Sequence, residues 1–186
     1  MKALLTGINS FLGMHLSEWL VASGDEVYGT VNERQYNGVA VKRIYRADTT
    51  SMSELERVVT RVCPDVIYHI AGVSSTACSW MKPSLTFDVN VAGTINLLNC
   101  VARHCKSATV LLVGTSEQYG IVERENCPLA EDFPQRPNSP YAISKHTQEQ
   151  LGALYKQAYD IKIVMTRTFN LIGAYQQIGY EALDIC

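Results

Sequence analysis

No Cys-x-x-Cys pair occurs among the six cysteines, which stand at 63, 78, 100, 105, 127 and 186. Neither these spacings nor His15, His69, His104 and His146 form a ligand pattern, so no metal centre is expected. The chain enters a strand at Met1 without a signal-peptide pattern. Free thiols in a reducing cytoplasm are therefore the expectation. Charge of one sign is also missing: 16 Lys and Arg against 18 Asp and Glu leave a net charge of −2, and the basic residues are scattered. That argues against nucleic acid or an anionic membrane as partner. On inspection no apolar run reaches the length of a bilayer crossing. Internal repeats, low-complexity tracts and interdomain linkers are absent too.

What is there is an ordinary globular composition, 47% hydrophobic and 18% charged over 186 residues, enough for one α/β domain with a core of its own. Short apolar runs alternate with longer segments of helical period, the mark of β-α-β units around a parallel sheet. Strands are expected at Ala3 to Thr6, Glu26 to Val31, Arg43 to Arg46, Val66 to Ile70, Thr109 to Val113 and Ile161 to Thr166. Helices are expected from Ser10 to Ala22, closed by Gly24, and at Ser51 to Val62, Ser84 to His104 and Ser139 to Tyr159. This is a doubly wound, Rossmann-like α/β layout. Residues 123–138 are polar and proline-rich, a long loop expected to border the site. Trp19 is expected in the core.

Thr6-Gly7-Ile8-Asn9-Ser10-Phe11-Leu12-Gly13 lies directly between the first strand and the first helix. Gly7 permits the tight turn and Gly13 lets the helix pack closely, so that backbone N–H groups face a pyrophosphate. Ser10 stands at the place of a middle glycine; it crowds the phosphates slightly, while its hydroxyl could donate to one. The second strand ends in Val31, followed by Asn32-Glu33-Arg34. The lack of an acid at the strand end, with Arg34 nearby, favours NADP modestly, and Glu33 keeps NAD open. Glu33 and Arg34 read equally well as solvated loop charges.

Tyr141-Ala142-Ile143-Ser144-Lys145 puts a tyrosine and a lysine one helical turn apart on one face. A lysine so placed favours the tyrosinate and can hold a ribose, and the tyrosine can then trade a proton with a hydroxyl or carbonyl. The fifth strand runs into Gly114-Thr115-Ser116-Glu117-Gln118-Tyr119-Gly120 at the carboxyl edge, where α/β ligands sit. Thr115 offers a hydroxyl to the reacting oxygen. Glu117 points the same way if the strand geometry persists.

Gly7 to Gly13, Ile70-Ala71-Gly72, Asn90 with Gly93-Thr94, Thr115 to Gly120, Pro137 to Lys145 and Arg167-Thr168-Phe169-Asn170 stand in the order seen in the extended short-chain dehydrogenases/reductases, which the whole chain resembles. The resemblance implies a bound NAD(P) with Thr115, Tyr141 and Lys145 as catalytic trio. It implies cofactor contacts from Gly7, Asn9, Ser10, Phe11, Leu12, Gly13, Asn32, Arg34, Asp48, Thr49, Ile70, Ala71, Gly72, Tyr141 and Lys145. Substrate contacts would come from Ser74, Thr115, Glu117 and Asn170, with Asn90 structural.

Within that family the chain resembles GDP-6-deoxy-4-keto-mannose reductases and GDP-mannose 4,6-dehydratases. Ser74-Ser75, Ser79-Trp80 and Ser144 lean towards the reductases, whereas Glu117 matches the base of the dehydratases. Reduction of a nucleotide-linked 4-keto sugar, with a GDP-sugar favoured, is the first expectation; dehydration or epimerisation is the alternative, and a non-catalytic NAD(P)-binding module is the alternative of another class. Leu171 and Gly173-Ala174 depart from the family pattern. Residues 1–170 are expected to form the cofactor domain and 171–186 the start of a substrate-binding region whose remainder is missing. The resemblance also implies a homodimer through the helices near 84–104 and 139–159.

Overall fold

The parallel sheet predicted from the apolar runs is present with all six strands. In this computed structural model, residues 1–33, 35–174 and 176 are described. The chain runs β1 (Lys2–Thr6), α1 (Phe11–Ala22), β2 (Glu26–Val31), β3 (Arg43–Arg46), α2 (Met52–Val62), β4 (Val66–His69), α3 (Thr76–Met81) and α4 (Pro83–Phe87). A π-helical turn (Asp88–Ala92) leads into α5 (Gly93–His104), followed by β5 (Thr109–Val113), α6 (Pro140–Tyr159) and β6 (Lys162–Thr166). The strand order is β3-β2-β1-β4-β5-β6, and every pairing is parallel. The order reverses between β1 and β4, which opens a crevice beyond their carboxyl ends.

Alternation along the strands sends two sets of side chains to two cores. Leu4, Ile67, Val110, Leu112 and Ile163 meet Leu55, Val58 and Val59 of α2 and Leu97, Leu98 and Val101 of α5. On the opposite face Ala3, Leu5 and Val27 pack with Ile8 and Leu20. Each fully buried aliphatic side chain contributes about 2 kcal/mol. Arg43 and Arg46 are exposed on β3, and charge on an edge strand discourages further pairing.

Helix ends follow local chemistry. Ser10 caps α1 with its side chain, and Gly24, at φ 84°, closes it. Gly24 N–H donates to Val21 O and Asp25 N–H to Leu20 O, satisfying two last-turn carbonyls. Ser139 caps α6 by accepting from Ala142 N–H at 3.0 Å, and Pro140 fills the first helical position.

Three expectations need correction. Trp19 is 63% exposed, because the buried stripe of α1 is Gly13, Ser17 and Leu20, and two residues on from Ser17 lies the opposite side of a helix. The helix expected from Ser84 starts at Pro83 and is broken by the π turn, while α3 went unforeseen. Pro83–His104 is long and apolar enough, by length and composition, to cross a membrane. Half of that stretch is buried inside this domain, where α5 packs on α2 and under the sheet.

Candidate active site

A cleft of about 720 Å³ opens at the switch point, lined from β1 to the segment after β6. Its floor is the turn after β1. Gly7 has φ 68°, and a Cβ there would lie 2.9 Å from Ala71 Cα; at Gly13 one would lie 2.6 Å from Gly7 O. Both glycines are therefore demanded by close backbone approach, which keeps any Cβ out of the turn at these two positions. Gly7 and Ile8 N–H groups hang on Thr30 O at 3.1 and 3.2 Å. Ser10 occupies extended backbone, which needs no glycine, and its Oγ accepts from Gly13 N–H at 3.2 Å. The serine thus becomes the helix cap, satisfying one of the orphan donors of the first turn.

Asn9, Ser10, Phe11 and Leu12 all line the cleft, as do Asn32, Asp48 and Thr49 at its far end and Ile70, Ala71, Gly72 and Ser74 on its floor. Asn32 Nδ2 donates to Asp48 Oδ2 at 3.1 Å, while Asp48 Oδ1 accepts from the Thr50 N–H and hydroxyl, both at 2.8 Å. Arg34 lies outside the described residues, as do 175 and 177–186.

Thr115, Tyr141 and Lys145 come together on one wall, each more than nine-tenths buried. Lys145 Nζ donates to Val113 O at 2.8 Å and Gln148 Oε1 at 3.0 Å. A Cβ on Gly72 would sit 3.5 Å from that Nζ and 2.9 Å from Asn90 Oδ1, so the floor has room there only for glycine. Burial lowers the Lys145 ammonium to about 8, which still leaves it mostly charged at neutral pH. Asn90, 1% exposed, ties three parts together: Oδ1 accepts from Val73 N–H at 2.8 Å, and Nδ2 donates to Val73 O at 3.0 Å and Ser144 Oγ at 2.9 Å. Ser144 Oγ in turn donates to Tyr141 O at 2.7 Å.

Glu117 lines the cleft as expected, for a different reason than strand geometry. The strand ends at Val113, and Ser116–Tyr119 is a 3-10 turn that brings the carboxylate round. Thr76 Oγ1 donates to both carboxylate oxygens at 2.9 and 3.1 Å, and Ser139 Oγ to one at 3.4 Å. Thr115 Oγ1 accepts from Glu117 N–H at 3.3 Å, which leaves the threonine hydrogen available to donate elsewhere. The loop 123–138 does not border the cleft; Gln135 and Arg136 pack behind the 3-10 turn instead. Asn170 lines the cleft and is exposed. Among the described residues no group of three His, Cys, Asp or Glu is placed to hold a metal.

Under the floor His69 is fully buried. Thr94 Oγ1 donates to Asn90 O at 2.7 Å, so it accepts from His69 Nε2 at 3.0 Å; Nδ1 then accepts from Thr6 Oγ1 at 2.9 Å. The ring is neutral, because burial first and the Lys145 charge second lower its pKa to about 3.

A family model described as GDP-mannose 4,6 dehydratase matches residues 4–185. The chain belongs to that family. A GDP-mannose 4,6-dehydratase of Vibrio cholerae is 32% identical over 185 residues, covering 91% of this chain and 49% of that protein. A crystal structure of UDP-glucose 4-epimerase from Thermus thermophilus in complex with NAD superposes with a TM-score of 0.91 at 32% identity, over 98% of this chain and 59% of that one. RMD from Pseudomonas aeruginosa, complexed with NADPH, superposes with a TM-score of 0.82 at 26% identity, over 96% and 57%. The chain spans about half the length of the curated relatives it matches.

Several residues of this dehydratase-family cleft left no mark in the sequence. Thr76 and Ser139 reach Glu117 across 41 and 22 residues, and Gln148 reaches Lys145 from one turn further along α6. Only the placement of Ser139 just before Pro140, a helix-start signature, was a usable signal.

Proposed function

We propose that this chain binds NAD(P) in its cleft and carries the catalytic residues of a nucleotide-sugar 4,6-dehydratase. The observation that bears most weight is the Glu117 carboxylate, fixed by Thr76 and Ser139 on the same cleft as Thr115 and Tyr141. Reduction of a 4-keto sugar needs no such base, so the weight moves from the reductase expected first to the dehydratase. The reductase stands as the second reading, supported by the resemblance carried on Ser74-Ser75, Ser79-Trp80 and Ser144.

The residues present suit a dinucleotide. The Ser10-capped α1 N-terminus lines the cleft and supports a pyrophosphate there, Asn32 and Asp48 at the far end support a ribose and adenine, and the Lys145 ammonium beside Gly72 supports the second ribose. Between NAD and NADP the amide of Asn32, rather than an acid, at the end of β2 supports NADP. The bound cofactor supplies a hydride acceptor and donor. Tyr141 takes the proton of the sugar C4 hydroxyl while that carbon is oxidised, and Lys145 stabilises the tyrosinate that does so. Thr115 donates its hydroxyl hydrogen to the same oxygen and holds it in place. Glu117 removes the C5 proton and passes it to the C6 hydroxyl, which departs as water as the C5–C6 double bond forms. Exposed Leu85, Phe87, Ile143 and Leu154 on α4 and α6 support association of two copies through those helices.

The test is incubation of the whole protein with GDP-mannose and no added reductant, beside GDP-4-keto-6-deoxymannose with NADPH. Keto-sugar formation in the first reaction is expected. Turnover only in the second would replace the dehydratase with the reductase.

A further inference from the structure

Behind the catalytic turn lies a second polar cluster that does not line the cleft and is only partly open to solvent. Gln118 is fully buried. Its Oε1 accepts from the Thr115 backbone N–H at 3.0 Å, and its Nε2 donates to Glu149 Oε2 at 2.6 Å and Gln135 Oε1 at 3.0 Å. Arg167 grips the same carboxylate from the other side, Nε to Oε2 at 3.0 Å and Nη2 to Oε1 at 2.6 Å. The guanidinium is anchored further by Tyr119 Oη at 2.9 Å and by Glu131 O.

This arrangement makes the orientation of Gln118 unambiguous. Glu149 and the Gln135 oxygen accept only, so the amide nitrogen must face them and the amide oxygen must face Thr115. Burial alone would push the Glu149 carboxyl up, but hydrogen bonds from Arg167, Gln118 and Gln135 outweigh it and hold the group below its ordinary value. It is therefore a permanent acceptor at neutral pH. The preceding residue has been shaped to the same end: a Cβ at Gly114 would lie 2.5 Å from Gln118 Oε1 and would also strike Thr166 O.

We infer that Gln118, clamped by the Glu149–Arg167 pair, is a positioning residue that sets the Thr115 backbone and so the direction of the Thr115 hydroxyl. The inference rests on reading Thr115 as the group that fixes the reacting oxygen. Gln118 touches no reacting atom. It acts by holding one N–H through a chain that begins on α6 and beyond β6, which makes the geometry of the reacting wall depend on how those two elements are docked. A shift of about 1 Å at such a residue can cost about 100-fold in rate.

Gln118→Glu provides a readout that mere loss of packing would not imitate. Protonated, the new side chain keeps two of the amide's three bonds: its carbonyl accepts from Thr115 and its hydroxyl donates to Glu149, while Gln135 Oε1 loses its donor from residue 118. Ionised, it confronts Glu149 across a hydrogen-bond distance. The groups facing it are Glu149 and Arg167, with His146 beyond Gln135 at 2.6 Å and Tyr119 beyond Arg167. The carboxylate of Glu149 raises the pKa of its new neighbour, while Arg167 is already engaged by Glu149.

The experiment measures kcat, KM, cofactor affinity and Thr115 amide exchange in the whole protein, for the wild type, Gln118→Met, Gln118→Glu and Thr115→Val. Expected for Gln118→Met are a kcat about 10-fold lower or worse, unchanged cofactor affinity, and Thr115 exchange about 10-fold faster. Expected for Gln118→Glu is near wild-type kcat at acid pH that falls away as pH rises, a limb absent from the wild type. Unchanged Thr115 exchange in Gln118→Met, or superimposable pH profiles for Gln118→Glu and wild type, would overturn the inference. A fully active Thr115→Val would instead remove the reading of Thr115, and exchange would still report whether Gln118 holds the turn. If Gln118→Met does not fold, Gln118→Glu at acid pH decides alone.

Discussion

The two lips of the cleft are built to different standards. On one, Thr115, Tyr141 and Lys145 are almost wholly buried, and each is tied to a neighbour that is itself buried: Gln118, Ser144 and Gln148. On the other, the chain after β6 presents Phe169 at 60%, Leu171 at 42% and Ile172 at 67% exposure. From Thr168 on its described polar ties are few: Thr168 O accepts from Ser116 N–H at 2.9 Å, Thr168 Oγ1 meets Thr166 Oγ1 at 3.2 Å and Ala174 O meets His15 Nε2 at 2.8 Å. The difference teaches that the residues proposed for proton and hydride chemistry are fixed by the interior of this domain, whereas the surface proposed to meet a sugar is open within the described residues. Catalytic groups need placement to fractions of an ångström, which only a satisfied polar interior supplies.

The largest effect comes from breaking the built lip at its reacting atom. Tyr141→Phe removes the proposed proton carrier and leaves the ring, so turnover should fall by about 10²–10⁴-fold while cofactor affinity measured by calorimetry is retained. Loss of cofactor binding in the same variant would mean that the Tyr141 hydroxyl chiefly holds the cofactor. Breaking the support instead costs stability. Asn90→Ala leaves the Val73 N–H and C=O and the Ser144 hydroxyl without their partner, at about 3 kcal/mol in urea unfolding. A change under about 1 kcal/mol would show that water replaces the amide.

His69 sharpens the contrast through pH. Its folded pKa of about 3 lies below the free value of 6.5, so the unfolded chain binds the proton more readily between those limits. The contribution is complete above 6.5 and is lost as pH falls; from pH 6.5 to 5.5 it amounts to about 1 kcal/mol. Urea midpoints of wild type and His69→Asn against pH check this, and parallel curves would exclude the histidine as the source.

Legibility follows the same division. The sheet was readable because runs such as Val66-Ile67-Tyr68-His69 are apolar and bounded by Pro64 and Gly72, and the trio because a helical turn spaces Tyr141 from Lys145. The apolar stripe of α1 misled for Trp19, since period alone does not say which side faces the sheet. The Gln118 cluster was invisible for a plainer reason: the bonds from Gln118 to Gln135 and Glu149 span 17 and 31 residues and leave no periodic trace, whereas the Thr115-x-x-Gln118 capping pair of the 3-10 turn is local and went unread. The long loop 123–138 was recognised, but length does not reveal whether a loop leans on the cleft or on the back of the catalytic turn.

The smallest effect is the one that tests the open lip most directly. Phe169 lines the cleft yet is 60% exposed, so few apolar contacts depend on it. Phe169→Ala should therefore change unfolding stability by no more than about 0.5 kcal/mol. If the lip meets the sugar, the same substitution raises KM for the nucleotide sugar and leaves cofactor affinity alone. A large loss of stability would show that this lip is as firmly built as the other, and the contrast between them would fall.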